Sequence, residues 1–347
     1  MVMRPGPWAS PRAFGVVGLS LVALLAATRP ARAETVLRIG TVAPEGSRYM
    51  KDMRSIGNEI ERLTDGQVRI KWLSSARLGD EKVQGATLMD AHGQLDGAGL
   101  TGVGLALLVP EMRVWVFPGM FQDYAEVDFI EKKYREEYAG YFAKRGLMLI
   151  AWGDVGFTYL NGTRTKVETF ADLKKRHVWL WTDDESAGAA VKVLGIISDV
   201  TSLSGLVDWL ARDKIDLWPF PPLAVVGFGL QKYSRFMSDM PFTFLSGALI
   251  IRKDVFDALP DEARRAILAV GRKWEGRITK EWRAENSRAF DAMQKQGTKL
   301  VKWSSAERQK FFQATAEVRG DFARTWGLDT LMRRISEDLD QFRQARR

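Results

Sequence analysis

Few side chains in this 347-residue chain are of the kinds that carry out chemistry. It has no cysteine and only two histidines, His92 and His177. A transition-metal site would need both imidazoles plus carboxylates, and His92 falls at a helix end remote in sequence from His177. No G-x-S-x-G elbow and no nucleophile triad is present. Gly97-Ala98-Gly99-Leu100-Thr101-Gly102 is a literal G-x-G-x-x-G after a predicted strand. A dinucleotide site also needs a helix leading to a second strand that ends in an acid about 20 residues on. Pro110 and Pro118 interrupt that stretch. The small residues, Gly99 among them, instead leave room for a ligand at a strand end, with Thr101 as the polar side chain there. Asp183-Asp184-Glu185 could hold calcium, but reads better as the start of a helix near Ser186. The aromatics Trp152, Phe157, Tyr159, Trp179, Trp181, Trp218 and Phe220 are the remaining candidates, either as core or as the wall of a binding site. In a strand Trp179 and Trp181 share a face and Leu180 takes the other. Binding rather than catalysis is the chemistry these residues offer, and no cofactor is expected.

The elements that would position them follow from periodicity. Val36 to Val42 alternates as a strand, and Arg48 to Thr64 carries apolar Met50, Met53, Ile56, Ile60 and Leu63 at helical spacing. Asp65-Gly66 stops that helix, and Gln67 to Trp72 alternates as a second strand. A helix from about Asp80 to Gly93 then leads into Leu95 to Gly99. This β-α-β-α-β order predicts an α/β lobe with largely parallel strands. A second lobe begins near Gly156, after a strand over Leu147 to Ala151, and the chain returns near Phe244 to Ile251. From Asp261 to Gln296 there is no proline, so either one very long helix or two helices broken at Gly276 occupy the stretch.

Residues 1–33 read as a secretory signal peptide: Arg4 and Arg12, an apolar run from Phe14 to Ala27, and an A-x-A site at Ala31-Arg32-Ala33. The run is shorter than the roughly 20 residues that span a membrane. Removing Arg4, Arg12, Arg29 and Arg32 and no acid lowers the net charge from +8 to +4 and leaves 314 residues, enough for two lobes. The remaining positive charge is dispersed among acids, without the basic-aromatic platform that nucleic acid needs. The expected product is an exported, periplasmic protein with no nucleic-acid partner.

Several phrases resemble, in order, those of the dicarboxylate-binding (DctP-like) solute-binding proteins of TRAP (tripartite ATP-independent periplasmic) transporters. Ser74-Ser75-Ala76-Arg77-Leu78-Gly79-Asp80-Glu81 is similar to "ypsgqLGde", and Gln94-Leu95-Asp96 to "G-x-l-D". Val109-Pro110-Glu111 to Phe117-Pro118 and Phe121-Gln122-Asp123-Tyr124 are similar to "vPel…lPFlFrdy", and Pro260 to Ala269 to "LPedvqkai". Glu168 to Trp181 resembles the "eDLKGlKiRvp" segment. The resemblance spans about Thr35 to beyond Ala269. It implies a two-lobed α/β binding-protein fold with mixed sheets, hinge-crossing strands, and a long helix of about 261–296 lying across both lobes. Lobe I would comprise 34–155 plus about 245–280, and lobe II 156–244 plus about 281–347.

In that family an Arg of the eDLKGlKiRvp segment pairs with the carboxylate of the cargo. Its place falls on Trp179 here, while a family Asn falls on Phe220 and a second basic residue near Gly156. The expected ligand-binding residues are therefore Trp179, Phe220, Trp218, Trp181, Phe157, Tyr159, Thr101 and Gly99. A buried carboxylate lacking its cation faces a penalty of several kcal/mol. About 200 Å² of apolar ligand surface against such walls is worth roughly 5 kcal/mol at about 25 cal/mol/Å². An apolar or amphipathic ligand is expected, with integral membrane TRAP subunits as partners and, by the resemblance, a TPR periplasmic protein. Arg164, Arg176 or Lys214 could reach a ligand's head group, and other readings stay open: an organic-acid carrier whose Arg comes from elsewhere, such as Arg164 or Arg176; an exported enzyme built on Asp154 or Asp216; and a scaffold with an empty cleft.

Overall fold

The computed structural model describes residues 1–2, 34–90 and 92–346. The expected signal peptide, from residue 3 on, and its cleavage site lie outside the described residues. The strands are β1 (Thr35–Thr41), β2 (Val68–Leu73), β3 (Gly97–Thr101), β4 (Leu147–Gly162), β5 (Val178–Trp181), β6 (Ser198–Thr201), β7 (Leu217–Phe220), β8 (Phe236–Arg252) and β9 (Lys299–Val301). They form one sheet in the order β2-β1-β3-β8-β4-β7-β5-β6, with β9 beside β8. β1 pairs in parallel with β2 and β3, and β5 with β6 and β7. The joining strands β8 and β4 run antiparallel to each other and to their outer neighbours β3 and β7. The sheet is therefore mixed, as the resemblance implies, while its β2-β1-β3 part is parallel, as the β-α-β-α-β order predicts.

Local signals explain the first elements. Leu37 and Ile39 of β1 are buried, as alternation requires. Ser47 accepts a hydrogen bond from Met50 N at 3.3 Å and so starts helix Arg48–Leu63, whose apolar stripe buries Met50, Ile56 and Ile60. Asp65 and Gly66 take positive φ of 47° and 76° and turn the chain into β2.

The two long strands differ from the sequence reading. Leu147 does not open a five-residue strand: β4 runs 16 residues, and β8 runs 17. Their pairing extends from Leu147↔Arg252 to Gly162↔Phe236 with register shifts at four places. One shift lies between Asp154 and Gly156, where Gly156 has φ +122°. A Cβ at Gly156 would stand 2.7 Å from Asn286 Nδ2, so no side chain, basic or otherwise, fits there.

Asp261–Lys295 is a single helix of 35 residues, about 50 Å long at 1.5 Å per residue. Gly276 does not break it. It is tied to four other segments. Trp282 Nε1 donates to Asp52 Oδ2 at 2.8 Å in helix Arg48–Leu63. Asn286 Nδ2 donates to Val155 O of β4 at 3.0 Å, and Asn286 Oδ1 accepts from Leu223 N at 3.0 Å in helix Pro222–Gly227. Arg283 pairs with Asp154 and Asp128. Among the described residues no helix is long and apolar enough to cross a membrane.

Candidate ligand-binding site

A cavity of about 170 Å³ lies where the ends of β1, β3, β5 and β7 meet the middle of β4 and β8. Val42, Ala43 and Pro44 form one wall after β1. Tyr49, Met53 and Ile56 come from helix Arg48–Leu63, and Ile278 and Trp282 from the long helix. Trp179 and Trp181 of β5 and Phe220 of β7 face them. Trp179 and Phe220 pack with ring centroids 5.9 Å apart, and Tyr49 meets Trp282 edge-on at 4.6 Å. The walls are apolar and aromatic almost throughout.

Among the described residues that line it there is no Arg, Lys or His. The ionisable groups there are Tyr49 and the acids Glu81, Asp184 and Glu275. Glu275 is held by a bidentate contact with Arg135, at 3.0 and 2.9 Å. Glu81 is fully buried and accepts from Thr101 N and Thr101 Oγ1, each at 2.7 Å, and from Gly104 N at 2.8 Å. Burial outweighs those three donors and pushes its carboxyl up to about 7. Asp184 caps helix Glu185–Val193 by accepting from Ala187 N at 2.8 Å, and its surroundings raise its carboxyl to about 6. The acidic triplet thus starts a helix, one residue earlier than its pattern suggested.

Of the residues expected at a ligand, Trp179, Trp181, Phe220, Thr101 and Gly99 line the cavity. Trp218, Phe157 and Tyr159 do not. Trp218 is fully buried one step deeper on β7, edge-on to Phe220. Phe157 packs among Tyr124 and Phe244 in a separate core cluster, and Tyr159 against Phe290 of the long helix. The register shifts in β4 break the two-residue alternation that would have kept 155, 157 and 159 on one face. Thr101 borders the cavity, but its hydroxyl is committed to Glu81 and Val103 N. The backbone N–H groups a phosphate would need at this glycine-rich turn are those of Thr101 and Gly104, which Glu81 already occupies. Tyr49, Met53, Ile278 and Trp282 were missed: helical periodicity marks them as buried without telling core from cavity.

The sequence model of "Bacterial extracellular solute-binding protein, family 7" (DctP) matches residues 39–325. The chain belongs to this family. The C4-dicarboxylate-binding periplasmic protein DctP of Rhodobacter capsulatus is 22% identical over 315 residues, 88% of this chain and 92% of that protein. The 2,3-diketo-L-gulonate-binding periplasmic protein YiaO of Escherichia coli is 21% identical over 314 residues, 88% and 92%. Among solved structures, DctP7 of Bordetella pertussis, an extracytoplasmic solute receptor binding pyroglutamic acid, superposes with a TM-score of 0.79 at 18% identity, covering 88% of this chain and 99% of that one. A TRAP periplasmic solute-binding protein of Haemophilus influenzae with bound L-gulonate gives 0.80 at 18% identity, covering 89% and 99%.

Family 7 membership makes this a periplasmic solute-binding protein of the TRAP type, with the two-lobed α/β fold of its relatives, and not an enzyme. Its partners are a small-molecule ligand and the membrane subunits of such a transporter. Asp154, one acid on which an enzyme could have been built, is buried against Arg283 and absent from the cavity lining.

Proposed function

We propose that this family 7 receptor captures an apolar or amphipathic ligand in its aromatic cavity and hands it to the membrane subunits. One observation carries the reading: the cavity is walled by Trp179, Trp181, Phe220, Tyr49 and Trp282, and among the described residues that line it the ionisable groups are Tyr49 and three acids, with no cation. A carboxylate placed there would be desolvated without a cation and would meet like charge, whereas an apolar surface loses nothing against indole. The named ligands of the relatives are organic acids, and a carrier of such acids is the second reading. Arg164 and Arg176, the cations it would recruit, are not among the lining residues, and Arg164 is exposed with its guanidinium on Asp213 O at 2.6 Å. The lobes we assign are 34–155 plus about 245–280, and 156–244 plus about 281–347, closing by hinge motion across β4 and β8 with the helix Asp261–Lys295 shared. A TPR periplasmic protein as additional partner belongs to the same reading.

Mass spectrometry of small molecules released by denaturing the exported protein, purified without added ligand, tests it. A stoichiometric lipid or other apolar species is the expected result. A stoichiometric carboxylic acid would overturn it in favour of the second reading.

A further inference from the structure

At one edge of the cavity, carboxylates cross between the start of helix Glu81–Met89 and the segment 181–203, which carries the starts of helices Glu185–Val193 and Leu203–Ala211. Asp80 occupies the cap position of helix Glu81–Met89, yet its side chain makes no bond to that helix. Its Oδ2 accepts instead from the indole Nε1 of Trp181 at 2.9 Å and from Leu203 N at 3.1 Å, the first residue of helix Leu203–Ala211. In return Asp183 Oδ2 accepts from Lys82 N at 2.7 Å, in the first turn of Glu81–Met89. Lys82 Nζ adds a looser contact to Glu185 Oε1 at 3.7 Å.

First-turn N–H groups have no partner inside their own helix and favour a carboxylate. An Asp at the cap normally serves its own helix. Ser202 caps helix Leu203–Ala211 locally at Gly205 N, so what depends on the two segments meeting is the partner of Leu203 N on one side and of Lys82 N on the other. Residues beside these bonds, Glu81 on one segment and Trp181, Asp184 and Leu203 on the other, all line the cavity.

We propose that Asp80 and Asp183 form a reciprocal clasp, each segment capping a helix of the other, and that Asp80 is a positioning residue holding Trp181 in the cavity wall. The clasp stands on its hydrogen bonds alone. Its consequence, a longer ligand dwell time, rests on the reading of the cavity as the ligand site.

Hydrogen exchange on the ligand-free exported protein tests the clasp. Asp183→Ala should speed exchange of the peptide covering 203–206 at least tenfold, although Asp183 makes no bond to that helix, as well as exchange at Lys82. Acceleration confined to the peptide that Asp183 itself contacts would overturn reciprocity. Asp80→Ala should also expose 203–206, and Asp80→Asn, which keeps an acceptor, should restore protection.

Stopped-flow release of the neutral probe N-phenyl-1-naphthylamine tests the dwell-time role. Release should be about tenfold faster in Asp80→Ala and in Trp181→Phe, which keeps one aromatic ring while losing the indole donor and the fused second ring. It should be near the unmutated rate in Asp80→Asn. Equal release from Trp181→Phe and the unmutated chain would overturn the role. Failure of the unmutated chain to bind the probe would count against the apolar cavity and remove the dwell-time role with it, while the exchange arms still decide the clasp.

Discussion

Trp179 is 3% exposed and touches both the cavity and Phe220. Trp179→Ala should weaken an apolar ligand roughly tenfold, as for the loss of about 55 Å² of contact at about 25 cal/mol/Å². It should also cost about 3 kcal/mol of stability, at the low end for a truncated aromatic because one side already faces space. Isothermal titration and urea unfolding would check the two figures. Glu81 gives a second, pH-dependent prediction. Its folded carboxyl sits near 7 against an ordinary 4.5, so folding favours the protonated form. That contribution is present at and below about 4.5 and is lost as pH rises through 7. The melting-temperature advantage of the unmutated chain over Glu81→Gln should therefore shrink from pH 5 to pH 8; a constant or growing gap would contradict it. At this scale the sequence was readable in part. Alternation put Trp179 and Trp181 on one face, and both reach the cavity. Alternation fixes a face and not a depth, which is why Trp218 lies beneath Phe220 rather than beside it.

Helices and strands were the most legible level. The predicted helix of Arg48 to Thr64 ends at Leu63, and the strand expected from Val36 to Val42 spans Thr35–Thr41. The long strands were not legible at full length, because Gly153, Gly156 and four register shifts interrupt the pattern that marks a strand. Two glycines of the long helix make a paired test of its seating. A Cβ at Gly271 would come within 2.0 Å of Ile150 O in β4, while one at Gly276 would meet nothing within 4 Å. Gly271→Ala should push helix and strand apart and lower the melting temperature sharply. Gly276→Ala should raise stability by about 0.4–1 kcal/mol through the unfolded chain. The sequence shows both glycines alike; only the packing separates them.

On the scale of the whole molecule, β4 and β8 join the two ends of the sheet, and the long helix is fastened to segments on both sides of the cavity. Saturating ligand should draw the exported chain toward a radius of gyration of about 20 Å, the value for a compact chain of that length. Small-angle scattering with and without ligand would show it, and identical curves would argue against hinge closure. On the proposed apolar-ligand reading, the absence of Arg, Lys and His from the described residues lining the cavity also changes what the receptor competes with. Cargo held by a guanidinium is taken from water, and its capture depends on concentration there. Cargo suited to indole walls dissolves in the bilayer at about 0.8 kcal/mol per methylene, so the surrounding membranes become the rival reservoir. The apparent affinity of such a receptor is then a partition ratio, and it should fall as vesicle surface is added at constant total ligand.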